Sequence, residues 1–580
     1  MNILGFLLLA AVAFIMAYRF YGSYISRKLG INPEHKTPAV EINDGVDYVP
    51  TRLPVLFAHH YSAIAGAGPI IGPTLGILYG VGPAWLWIVL GGIFFGAVHD
   101  FTALFASIRE RGNSMAEIAR KALGDTGFLL FIAFTGIMLM LVTSAFLSLT
   151  AISLTSIWPL DKLGLSAGQT LLKTRVVNGQ EMGVIGGIAS TSVIIITLVA
   201  PLLGYLIFKK GLRTSLSFLL AAIVCFVSIY VGFKLPVSMP GLGWMIIISI
   251  YVLFASGLPV WMILQPRDFI NVQILYAGMA VVFAAIVVAG INGVTSTMPV
   301  LNLSEGNRHL GPVWPMLFII IACGAISGFH ALVAGGTSAK QLSTEKHAKV
   351  IGYGAMLLES LLAVIVLAAI SSSLTMGDYM RITWPAEGSG NPILAFALAV
   401  GNLVHNAFGI SVAFGSIIGI LMVEGFVVTT LDAAVRLNRY IFEELWRRVF
   451  VTPPQLLKNF WFNSGLAVAA MFFLAVTNGY KLIWPVFGAS NQLLAALTLI
   501  AVTSWLNLAG KKSWFTLIPA VIMVVTTMAS LVYSLIMEFL PTGNIILSIT
   551  DLILLALSVG VVVQSVRKFI PSSAAASINS

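Results

Sequence analysis

From Arg52 to Thr74 the chain reads RLPVLFAHHYSAIAGAGPIIGPT, a stretch apolar and long enough to enter a bilayer that no uninterrupted helix accommodates. Adjacent histidines, His59 and His60, are followed by Gly66, Gly68, Pro69, Gly72 and Pro73. In a helix interior each Gly costs about 1 kcal/mol relative to Ala and each Pro about 3 kcal/mol, since Pro lacks a backbone donor and clashes with the preceding turn. The run therefore reads as a membrane helix broken in the middle. Non-helical backbone at membrane depth persists only where protein or a water-filled cavity satisfies the freed N–H and C=O groups, so such a break lines a pathway. The competing explanation is close packing through small residues, which needs no break.

Of 580 residues, 58% are hydrophobic and 9% charged, against roughly 25% charged in soluble domains. Runs of about 20 apolar residues recur throughout, the last near 546 to 566. We therefore expect an all-α polytopic membrane protein of about 15–16 transmembrane helices, forming one transport domain over residues 1–580. The net charge of +10 lies in short loops, including Arg27 and Lys28, Lys209 and Lys210, Arg267, Arg436, and Lys511 and Lys512. This is the positive-inside pattern of a multi-pass protein of the cell (inner) membrane, not a nucleic-acid surface. It places the N-terminus outside and the C-terminus in the cytoplasm, provided that 392–408 is a re-entrant or surface helix on the outer side. Cys225 and Cys323 both lie inside apolar runs, so no disulfide framework, thiolate metal site or other cofactor is indicated. The absence of GxxxxGK[ST] disfavours ATP-driven transport.

A second segment of the same character, ACGAISGFHALVAGGTSAKQ, spans Ala322 to Gln341 and sets His330 among Gly324, Gly328, Gly335 and Gly336, followed by Thr337 and Ser338. The loop charges make the two segments antiparallel. Five spans from each start give inverted halves of approximately 53–234 and 312–507, with extra helices at 1–26, 242–291 and 515–566. Inverted repeats that open on discontinuous helices, as in LeuT-like transporters, hold substrate near the membrane midplane. N–H groups freed after Gly68 and after Gly335 would favour an anionic group there.

An ionisable side chain at membrane depth costs about 2.5–3.5 kcal/mol on insertion scales and needs a reason. Glu359 and Glu424, near the centres of their runs, are the first-choice proton-coupling groups, with Asp100 a third whose competing role is a structural ion pair. His99 projects roughly 100° around the helix from Asp100, so the two are not expected to act on one point. Asp432 precedes Arg436 by four residues, the spacing of a structural helix pair. His59, His60 and His330 suit proton or carboxylate binding, without any metal motif such as HExxH. Asn491 and Gln492 suit substrate amides or interhelical hydrogen bonds.

The stretches FAHHYSAIAGAGPIIGP (57–73), HDFTALFASIRERGNSMAEI (99–118), PMLFIIIACGAISGFHALVAGGTSAKQL (315–342), IGYGAMLLESLLA (351–363), VEGFVVTTLDAAVRLNRYIFEELW (423–446) and WPVFGASNQLLAALTL (484–499) resemble the carbon starvation protein A (CstA) family, in order over most of the chain. That resemblance implies a LeuT-like fold and import of peptides or small carboxylates such as pyruvate, with protons, under nutrient limitation. It would set Gln where this chain has His99. The competing function is a channel or nutrient sensor without coupled transport. An intramembrane enzyme is disfavoured, since no nucleophile and base pair is evident.

Overall fold

The computed structural model describes residues 2–166, 168–169, 171–385 and 390–569, without the side chains at 426, 478–482, 485 and 568–569. Its long elements are α1 (Ile3–Leu29), the bent pair α2 (Leu53–Ile64) and α3 (Gly68–Gly76), α4 (Val81–Arg109), α5 (Asp125–Leu154), α6 (Gly186–Lys209), α7 (Thr214–Lys234), α8 (Gly241–Gly257) and α9 (Leu264–Ile291). The broken pair α10 (Val313–Ile320) and α11 (Gly328–Gly336) follows, then α12 (Glu345–Ser373), α13 (Pro392–Phe408) and α14 (Val412–Val449). The series ends with α15 (Phe460–Thr477), α16 (Val486–Leu508), α17 (Trp514–Phe539) and α18 (Ile545–Arg567). Twelve of these are single helices long and apolar enough to cross a membrane, and the bent pair makes thirteen. The expected 15–16 is approached only by adding the 17-residue α8 and the second broken segment, whose two halves are each too short to span alone.

Helix forms wherever the apolar runs lack Gly–Pro interruptions, because a bilayer leaves every backbone group to be satisfied within its own segment. One departure from all-helix is a small antiparallel sheet of β1 (Ile157–Pro159), β2 (Thr174–Val177) and β3 (Gln180–Val184), in order β1-β3-β2. It pairs Ile157 with Val184 and Thr174 with Gly183 across the loop between α5 and α6.

The two discontinuous helices lie antiparallel. The strand-like lead into α2 meets the chain just after α11, where Thr51 N–H donates to Gln341 O at 3.0 Å. At the opposite end the Tyr79 hydroxyl, just beyond α3, donates to Gly311 O before α10 at 2.8 Å.

Helix α13 packs between the end of α12 and α14. The Ser373 hydroxyl, at the end of α12, donates to Ala399 O at 2.8 Å, and Gly419, well inside α14, packs on Ala397. The start of α13 thus lies deeper than its end and the helix folds back beside α14. It is buried from Pro392 to Leu398. Helices α15 and α16 both pack on α5, through Ser148 and Ala475 (3.5 Å) and through the Phe146 and Phe487 rings (5.8 Å).

Candidate functional site

The first break occupies residues 65–67 and turns the helix by 42°. Pro69 supplies the fixed φ of the first turn of α3, where its missing N–H costs nothing. The second break occupies residues 321–327, from Ile321 at the end of α10 to the extended Ser327 that opens α11. The breaks touch. A Cβ on Gly68 would lie 2.4 Å from the Cys323 side chain, and one on Gly72 would lie 2.9 Å from Ile320 O, so only glycine permits this approach. Gly66 is held similarly against Thr430 of α14, whose hydroxyl donates to Ala63 O at 3.2 Å.

The second half-helix starts at Gly328, not after Gly335. Gly335 and Gly336 end α11, and Thr337 and Ser338 lie beyond it, Thr337 bonding back to Val333 O. The N-terminus of α11 is already occupied: Asn491 Oδ1 accepts from Phe329 N–H at 2.9 Å, and Asn491 Nδ2 donates to Ser327 Oγ at 3.0 Å. Gln492 donates to Phe318 O in α10. Both amides thus hold the broken backbone together.

His330, in the first turn of α11, is the centre of a buried cluster. Its Nδ1 lies 2.8 Å from Asp100 Oδ2, and its Nε2 lies 3.3 Å from Glu359 Oε2 without hydrogen-bond alignment. His99 Nδ1 lies 2.7 Å from the other oxygen of Asp100. The expectation that His99 and Asp100 act apart is therefore corrected: their Cβ atoms diverge on α4, but the imidazole and carboxylate converge in the gap beyond. With both imidazoles donating Nδ1–H to Asp100, a proton on either His330 Nε2 or Glu359 satisfies that pair, and without one two lone pairs face each other. All four residues are fully buried.

His59 and His60 stand on the intact α2, one turn before its break, and diverge as neighbours on a helix do. His59 Nδ1 reaches Asp268 Oδ2 on α9 at 2.6 Å, whereas His60 Nδ1 reaches Ser338 Oγ at 2.7 Å. Glu424 on α14 stands outside the His330 cluster, both oxygens lacking hydrogen-bond partners among the described residues.

Two expectations fail here. Arg267 is not in a loop but fully buried on α9, and it pairs with Asp432, which the Tyr251 hydroxyl also bonds at 2.8 Å. Arg436 is instead taken by Ala255 O (3.0 Å), Leu258 O and Asp47 (3.4 Å), so the i, i+4 pair does not form. Both guanidiniums are buried, but Ala255 O, Leu258 O and Asp47 satisfy Arg436, which leaves Asp432 to compensate Arg267. Glu345, fully buried, accepts both a bidentate pair from Arg109 (2.6 and 2.9 Å) and the Asn32 N–H (2.5 Å), tying α1, α4 and α12 at one end. Asp268 and Glu345 carry no motif. The only signal for Asp268 is the acid–base doublet Arg267-Asp268 at the head of an apolar run.

Among curated proteins the chain is 33% identical to the peptide transporter CstA of Campylobacter jejuni over 90% of this chain and 79% of that protein. It is 31% identical to the peptide transporter CstA of Escherichia coli (91% and 80%), and 30% identical to that organism's pyruvate/proton symporter BtsT (89% and 79%). Solved structures similar to it include MhsT in complex with L-phenylalanine, at 14% identity and TM-score 0.46 over 88% of this chain and 98% of that one. Another is the Eremococcus coleocola manganese transporter, at 10% identity and TM-score 0.45 over 91% and 99%. Residues 2–391 and 386–530 match the family described as carbon starvation protein CstA, and the chain belongs to this family of membrane transporters.

Proposed function

We propose that this protein is a secondary importer, driven by protons, of peptides or of a small carboxylate such as pyruvate across the cytoplasmic membrane when carbon is scarce. Its inverted halves are 53–234 and 312–507, with the N-terminus outside and the C-terminus in the cytoplasm. The observation that carries the reading is His330 on the second discontinuous helix, bridging Asp100 and Glu359 next to the contact between the breaks. Substrate sits where Gly66 and Gly68 open the first helix, its carboxylate drawn to the positive end of α3. Proton exchange between His330 and Glu359 then shifts α11 relative to α4 and α12. The names of the relatives, peptide transporter and pyruvate/proton symporter, are consistent with this reading.

The test is uptake by proteoliposomes of labelled pyruvate and a dipeptide panel under an imposed inward proton gradient, beside counterflow without a gradient. Glu359→Gln should abolish gradient-driven accumulation, at least tenfold, while leaving counterflow. Accumulation that ignores the pH gradient and follows sodium would overturn the proton assignment. Equilibration without accumulation would point to a channel instead.

A further inference from the structure

Beyond the break region, a cavity of about 280 Å³ opens where α3 and α10 approach one end of the pathway. Ile319 and Ile320 of α10, Trp384 and Trp484 line it, and Glu538 of α17 is the one carboxylate among its described lining residues. His309 lies against Trp384, ring centroids 5.6 Å apart. His309 Nε2 lies 3.4 Å from Glu305, and Arg381 pairs with Asp378. Glu538 forms no ion pair among the described residues. A carboxyl beside two indoles, with no cation paired to it among the described residues, is the chemistry that holds an organic ammonium: the charge meets the carboxylate and the indole faces, and the apolar remainder packs on the two isoleucines.

We infer that this cavity is a binding site, separate from the breaks, for a primary ammonium carrying an apolar or aromatic group, and that Trp384, Trp484 and Glu538 set which substrates are admitted. The site is linked to the first discontinuous helix. Trp384 Nε1 donates to the Tyr379 hydroxyl (3.2 Å), which donates to Thr74 O of α3 (2.8 Å). The inference holds whatever ion drives transport.

The probes are phenethylammonium, 3-phenylpropionate, which has the same shape with the opposite charge, and n-propylammonium, titrated into purified full-length protein by calorimetry. Phenethylammonium should bind, the other two at least tenfold more weakly. Glu538→Gln and Trp384→Leu should each weaken it about tenfold, Trp384→Phe should restore most of the loss, and Glu359→Gln should leave it unchanged. Thermal unfolding of each variant separates lost binding from lost folding. Equal binding of the anion, no detectable binding of phenethylammonium, or binding unaffected by both Glu538→Gln and Trp384→Leu would overturn the assignment. Unaltered protein that binds phenethylammonium yet shows no proton-driven uptake would count against the transport mechanism alone.

Discussion

The buried charges are where single substitutions speak most clearly. Arg267 is surrounded by Asp432, Asp268 and Tyr251 at zero exposure. Removing one member of a buried pair leaves an uncompensated charge, so Arg267→Met should destabilise the protein by about 3–5 kcal/mol. The double variant Arg267→Met with Asp432→Leu should recover much of that loss, read by thermal unfolding in detergent. A double variant no more stable than the single one would mean that the pair contributes more than mutual neutralisation. At the His330 cluster, His99→Gln keeps an N–H donor for Asp100 and should retain uptake, whereas His99→Leu removes it and should change the pH profile of uptake. Identical profiles for both would show that His99 plays no part in proton handling.

At the scale of elements, the two breaks depend on different devices. The first rests on glycine: no Cβ fits between Gly68 and Cys323, so Gly68→Val should cost about 1–3 kcal/mol through overpacking. The second rests on Asn491, which accepts from the Phe329 N–H at the start of α11. Asn491→Leu leaves that buried donor unsatisfied and should cost about 1–3 kcal/mol. Counterflow should fall in the same variant if the geometry of α11 positions His330. The sequence made both breaks legible through their glycines and prolines. It placed the second one too late, since the Gly335-Gly336 pair suggested an opening where the chain in fact only ends a helix; Ser327 and the distant Asn491 define the start.

For the whole molecule, the proposed topology is testable because Cys225 and Cys323 are buried and give little background labelling. In whole cells Gln180→Cys, on the small sheet, should react with a membrane-impermeant maleimide, and Lys512→Cys, between α16 and α17, only after permeabilisation. The reverse pattern would invert the topology. From its sequence alone the chain is determined to be a helical membrane protein, with two antiparallel broken segments and acids at Asp100, Glu359 and Glu424 in apolar runs. These are local properties, because hydropathy, the backbone cost of glycine and proline, and the cost of an intramembrane charge act within about 20 residues. Which buried groups meet was decided by tertiary structure: His330 with Asp100 and Glu359, His59 with Asp268, Arg267 with Asp432 instead of Arg436 with Asp432. Partners separated by up to 230 residues are chosen by which helices pack together, and each buried charge takes the partner that packing leaves within reach.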